Sequence, residues 1–208
     1  MSQEQGHKWF AACWDWMVRN ENAAIRNVRT EIVGGATGRV LEVGCGPGSN
    51  FPYYGDSISE LIATDPDPYM LERARKRAED VGRPIEIKQA PAEELPFDDA
   101  SFDTIVCTSV ICTVRDPRQA LSEVRRVLKP DGEYRFLEHV RYDHAFGAFF
   151  QNALNPIWGW FGAGCQLNRD TAQLMQEAGF VIRELEPFRP TPIIDPTRPC
   201  IKGVAVSG

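Results

Sequence analysis

Leu41-Glu42-Val43-Gly44-Cys45-Gly46-Pro47-Gly48 is a short apolar run that ends in three glycines spaced two apart. It reads as a strand opening into a tight loop, because glycine lets the backbone turn sharply and approach a ligand closely. Around it, short apolar runs at residues 40–43, 58–64, 85–87, 104–108 and 134–138 alternate with amphipathic stretches. Strands separated in this way by helices imply βαβ units and a doubly wound, mostly parallel α/β sheet covered on both faces. Such a sheet binds its ligand beyond the carboxyl ends of its strands, which is where the 44–48 loop falls.

Two helices are marked by their caps. Asp67-Pro68 places an N-cap before proline at the first helical position, and Met70, Leu71, Ala74 and Ala78 then form one face. Asp116-Pro117 repeats the device ahead of Ala120, Leu121, Val124, Val127 and Leu128. Lys129-Pro130-Asp131-Gly132 reads as a turn into the next strand. Residues 171–178 read as a helix stopped by Gly179, followed by a strand at 180–186, a proline-rich loop and a last strand at 201–206. With no helix between them, those two strands are expected to pair antiparallel. The first thirty residues read as helical and carry Trp9, Phe10, Trp14 and Trp16, with Trp9, Cys13 and Trp16 or Met17 on one face.

At 208 residues, 43% hydrophobic and 25% charged, the chain fits one globular domain with a sizeable core. A net charge of -6 argues against a partner held by phosphate neutralisation, so no nucleic acid is expected and a small-molecule substrate is favoured. The six cysteines form no CxxC pair, and His7, His139 and His144 stand far from any zinc-like spacing; no metal is expected. Reduced core cysteines, a polar beginning without a signal-peptide pattern and no long apolar run point to a cytoplasmic protein without a transmembrane segment. The oligomeric state is not legible.

The third glycine of the loop comes one residue early for a dinucleotide motif, with Ser49 in its place, and Glu42 precedes the loop by two residues. An acid there suits an ammonium group and would repel a pyrophosphate. Asp65, at the end of the second strand run, is placed to accept from the hydroxyls of a ribose, which does not by itself distinguish a nicotinamide nucleotide from another nucleoside.

Together Glu42 to Gly48, Asp65, Ala92-Glu93-Glu94-Leu95-Pro96-Phe97 and Arg125-Arg126-Val127-Leu128-Lys129-Pro130-Asp131-Gly132 resemble the class I methyltransferases that use S-adenosylmethionine (AdoMet). The resemblance implies a seven-stranded, mostly parallel Rossmann-like sheet with its last strand antiparallel. It assigns the cofactor to Glu42, Gly44, Cys45, Gly46, Gly48 and Asn50, then Asp65 and Pro66, Ala92 and Glu93, and Thr108. Relatives commonly carry an Asp where this chain has Pro91, so adenine is expected to be held near Ala92 by backbone groups and by Glu93. It also implies one domain: a helical cap at 1–33, the cofactor core at 38–140, an aromatic segment at 141–168, and a C-terminal helix and strand pair at 169–208.

The second half is similar to the methyltransferase-like thiol S-methyltransferases, through Phe136-Leu137-Glu138-His139-Val140, Gln151 to Pro156 with Trp158, Gly164-Cys165-Gln166-Leu167-Asn168-Arg169, and the last nine residues before Ser207. A small hydrophobic thiol is then the expected acceptor; a quinone or ring carbon, a lipid amine, and a non-catalytic AdoMet-binding module are the alternatives. His139 is the candidate base, with Glu138 as an orienting partner, although neighbours on a strand point to opposite faces. Trp14, Trp158 and Phe161 are candidates for the substrate side. The aromatic segment 146–161 reads as a helix packed on the sheet, with an apolar lid and a peripheral membrane contact as the functional alternatives. Cys165 is assigned to packing.

Overall fold

A computed structural model describes residues 6, 8–161, 164–189 and 199–208; the proline-rich loop expected before the last strand lies largely outside them. Seven strands form one sheet: β1 (Gly38–Val43), β2 (Ile58–Asp65), β3 (Glu86–Gln89), β4 (Phe102–Thr108), β5 (Leu128–His139), β6 (Phe180–Phe188) and β7 (Cys200–Ser207). Their order is β3-β2-β1-β4-β5-β7-β6, with β7 antiparallel to both its neighbours and the remaining pairs parallel. The order reverses between β1 and β4, so the ends of those two strands flank the crevice where such sheets take their ligand.

Period-two alternation along the strands sorts the core into two layers. Leu41, Val43, Ile62, Ile105, Cys107, Tyr134, Phe136 and Ala205 pack with Ala120, Leu121 and Val124 of α4 (Pro117–Val127) and Met175 of α6 (Thr171–Glu177). Val40, Leu61, Ala63 and Val106 face the other way, onto Val33 of α2 (Ala23–Gly34) and onto Leu71 and Ala74 of α3 (Pro68–Val81). Polar caps start the helices. Asp67 accepts from the backbone N–H of Tyr69 and Met70, and Asp116 from those of Arg118 and Gln119. Gly82, at φ +68°, stops α3 in the left-handed conformation.

Two local expectations change. Lys129 to Gly132 falls inside the span of β5, but the register against β4 jumps from Phe102↔Leu128 to Thr104↔Glu133, so the turn survives as extra chain bulged out of the ladder. The N-terminal stretch folds as two helices, α1 (Lys8–Arg19) and α2, and the expected shared face of α1 is turned to solvent: Trp9 is 64% and Trp16 66% exposed, and Cys13 is exposed as well. Phe10 and Trp14 stack instead on the inner side.

Segment 145–161 is a helix, α5 (Ala145–Phe161). Ala148 and Gln151 form its buried side, and Gln151 accepts from the Tyr142 N–H (2.8 Å) and donates to the Val140 carbonyl (3.1 Å). Phe146, Phe149, Phe150 and Ile157 point outward. Among the described residues no helix is long and apolar enough to cross a membrane.

Candidate active site

A cavity of about 900 Å³ opens at the carboxyl ends of β1, β2, β4 and β5, and Phe10 and Trp14 of α1, Trp158, Gly159 and residues of the 164–169 stretch line its other sides. That is large for a single small-molecule site, with room for a cofactor and a small acceptor together.

The β1 loop forms its floor. Gly44 has φ +66°, and a Cβ on it would stand 2.6 Å from the Val110 side chain, so torsion and space both require glycine. Gly46 (φ +54°) differs: a Cβ there would meet only Trp14 Nε1, at 3.9 Å across the cavity, leaving bare backbone facing the ligand space. Asp65 ends β2 nearly buried and accepts from the N–H of Gly46 (2.9 Å) and of Asp67 (2.9 Å). Burial outweighs those two hydrogen bonds and pushes its carboxyl up to about 6. Pro66, Ala92 and Thr108 line the same half.

Several expected contacts are placed differently. Glu42, Cys45 and Asn50 are buried and do not line the cavity. Glu42 accepts from Asn50 Nδ2 (3.0 Å) and from the Tyr54 hydroxyl (2.9 Å), and burial pushes its carboxyl up to about 7. It acts from behind the wall: Asn50 also donates to Thr108 Oγ1 (3.0 Å), which does reach the cavity. Nothing in the sequence singles out Arg29, yet its buried guanidinium joins this network, at 2.6 Å from Asn50 Oδ1, and is paired with Glu21. Glu93 lines the cavity, but its carboxylate accepts from the N–H of Arg115 (2.9 Å) and Asp116 (3.3 Å), tying down the loop before α4. An approach to adenine by Glu93 would have to compete with those bonds.

Glu138 and His139 part company, as alternation on a strand requires. Glu138 is fully buried and takes the N–H groups of Val110 (2.9 Å), Ile111 (3.1 Å) and Cys112 (3.2 Å). It holds the turn after β4, where Ser109 carries a left-handed φ of +60°. No hydrogen bond joins the two side chains among the described residues, so the expected orienting role of Glu138 is replaced by a structural one. His139 lines the cavity, with Nδ1 3.7 Å from Cys112 Sγ and 3.9 Å from Cys165 Sγ.

Apolar and soft side chains share the rest of that end with Thr113, Gln166, Asn168 and Arg169. Trp158 packs on Cys112, Cys165 and Leu167. Its Nε1 is buried without a well-formed hydrogen bond among the described residues, while its N–H on the Cys165 side favours that thiolate. Cys165 is held below the usual thiol range, chiefly by the hydrogen bond from Cys112. Trp14 lines the opposite wall; the side chain of Phe161 lies outside the described residues.

A glycine floor with bare backbone, a buried carboxylate at the end of β2 and a topological switch between β1 and β4 define a nucleoside-binding α/β enzyme. A family model for a methyltransferase domain matches residues 41–136. Human thiol S-methyltransferase TMT1B is 37% identical over 179 residues, spanning 83% of this chain and 72% of the relative. The phosphatidylethanolamine N-methyltransferase of Cereibacter sphaeroides is 37% identical over 119 residues, 56% of this chain and 58% of that one. A protein solved with the Haloferax volcanii Trm112 methyltransferase activator matches the fold at a TM-score of 0.73 and 16% identity, over 96% of each chain. The chain belongs to the class I AdoMet-dependent methyltransferases. Within that class it is similar over most of its length to a thiol S-methyltransferase. AdoMet is its cofactor, and the open backbone at Gly46 beside Asp65 fits it.

Proposed function

We propose that the enzyme methylates a small hydrophobic thiol, bound at the end of the cavity where Trp158 and His139 meet. The carrying observation is the chemistry of that end: two cysteines flank one imidazole and an indole packs on both of them. The acidic side chains on the cavity, Asp65, Asp67 and Glu93, lie on the cofactor side and are already hydrogen-bonded to backbone N–H groups. An ammonium acceptor such as a lipid headgroup therefore meets no free carboxylate at the reacting end and faces the Arg169 cation, whereas a thiol finds the Trp158 indole. The similarity to a named thiol S-methyltransferase covers both halves of the chain, and the similarity to the phosphatidylethanolamine enzyme covers little more than half.

Gly44, Gly46, Asp65, Pro66, Ala92 and Thr108 are the residues assigned to AdoMet, which supplies an electrophilic methyl on a sulfonium. What the protein then adds is alignment of the acceptor sulfur with that methyl and exclusion of water, and alignment of two reactants is worth several kcal/mol. Phe10 and Trp14 close one side, Trp158 the other. His139 is assigned to the acceptor sulfur.

Methyl-labelled AdoMet incubated with thiols, quinols and amines tests the assignment. Label on thiols, lost in His139→Ala with AdoMet affinity kept, is the expected result. Label on quinols or lipid amines alone refutes the thiol acceptor and leaves the methyltransferase standing.

A further inference from the structure

Cys112, His139 and Cys165 come from three separate places: the turn after β4, the last residue of β5 and the loop after α5. Their Sγ, Nδ1 and Sγ atoms all lie within 4.8 Å of one another. In a tetrahedral zinc site, with Zn–S near 2.3 Å and Zn–N near 2.05 Å, neighbouring donors stand roughly 3.5–3.8 Å apart. The two imidazole distances, 3.7 and 3.9 Å, match to within a few tenths. All three residues border the cavity, so a fourth position would open onto it. We propose that Cys112, His139 and Cys165 form a zinc site of the Cys2His type whose open position takes the acceptor sulfur.

The surroundings are built to hold these donors still. Gln166 donates its N–H to the Cys112 carbonyl (2.7 Å), and Asn155 bridges Gln166 and the Leu167 N–H. Arg169 reaches back to the carbonyls of Ile111 and Val114, so the 164–169 loop is stitched to the turn carrying Cys112. Glu138 fixes that turn from beneath. Cys200 pairs with His139 in the β5–β7 register, which fixes the backbone carrying the imidazole. Charge also balances: two thiolates neutralise Zn²⁺, and Arg169 offsets Glu138.

The inference deepens the thiol reading and, in its catalytic part, rests on it. An acceptor R–SH that ligates zinc loses its proton to solvent and is held as R–S⁻. Its lone pair forms the S–C bond to the AdoMet methyl. The methyl–sulfonium bond breaks, and its electron pair stays on the sulfur of S-adenosylhomocysteine. The neutral thioether product is a weaker ligand and leaves. His139 then acts as a ligand through Nδ1 in place of the base expected from the sequence.

The test uses the full chain, purified without a metal-chelating tag, with Zn²⁺ alone as the probe. About one zinc per chain is expected, with two thiols protected by Zn²⁺ against a thiol reagent and a thiolate-to-cobalt charge-transfer band after Co²⁺ exchange. Cys112→Ser and Cys165→Ser should each weaken zinc binding by at least about tenfold while AdoMet binding, the check on folding, stays intact. A wild-type protein that binds AdoMet but neither holds zinc nor shows thiol protection overturns the site. Unchanged thiol methylation by zinc-free protein also overturns it and leaves the thiol acceptor in place. Zinc bound through these residues with no methylation of any thiol supports the ligand set and overturns its catalytic use and the thiol reading together.

Discussion

Asp65 and Glu138 are two buried carboxylates with opposite duties, and neighbouring atoms decide which is which. Asp65 opens onto the cavity, where the proposed contact with ribose hydroxyls is strongest to its ionised form, yet burial has raised it to about 6. Ligand contacts favour the ionised form, so AdoMet affinity should hold above that value and weaken as pH falls through it, by up to about tenfold per unit. Calorimetric titration from pH 5 to 8 checks this, and a flat profile in wild type would remove Asp65 from the contact. Asp65→Ala should lose affinity at every pH. Glu138 touches three backbone N–H groups and no ligand space. Glu138→Ala should therefore lower stability by roughly 3 kcal/mol, because three buried donors lose their acceptor. Chemical denaturation measures that loss. Asp65 could be found from its place after the second apolar run. Glu138 could not, because its partners lie 26 to 28 residues away, across a turn whose shape no local pattern specifies.

At the scale of elements, the helices that follow strands were readable because each carries its own punctuation. Asp67-Pro68 and Asp116-Pro117 start α3 and α4, Gly82 ends α3, and the apolar stripes behind them are buried. The N-terminal helix misleads for a physical reason: Trp9 and Trp16 have helical spacing, but only the packing of α1 against its neighbours fixes which side turns inward, and Phe10 and Trp14 take that side. Among the described residues, the buried Gln151 ties α5 to the chain just after β5. Gln151→Ala should raise hydrogen exchange across 145–161 and leave AdoMet affinity unchanged, since its partners Tyr142 and Val140 lie outside the cofactor half. Exchange confined to residues 140–142 would show that α5 is held by other contacts.

For the whole molecule, a carboxyl buried behind the cavity wall carries an electrostatic strain. Glu42 is fully buried, and its carboxyl rises from an ordinary 4.5 to about 7. A raised folded-state value means that folding favours the protonated form. Stability from this group is therefore fully present below about 4.5 and falls as pH rises toward 7, by at most about 3 kcal/mol. Ligand-free protein should accordingly lose melting temperature between pH 5 and 7. Glu42→Gln should flatten that slope, and an unchanged slope in the variant would assign it elsewhere.

The sequence by itself determined the parallel sheet, the antiparallel end, the glycine floor and the acid at the end of β2. Each is a local property: alternation, caps and a loop whose torsions only glycine adopts freely. Tertiary structure alone decided that Glu42 works from behind Asn50 and Thr108, that Arg29 enters the same wall, and that Cys112, His139 and Cys165 meet. Those three are separated by 26 and 27 residues with no metal-ligand spacing among them. Their convergence depends on where β4, β5 and the chain after α5 end relative to one another, and that is set by packing of the sheet and its helices rather than by any stretch of sequence.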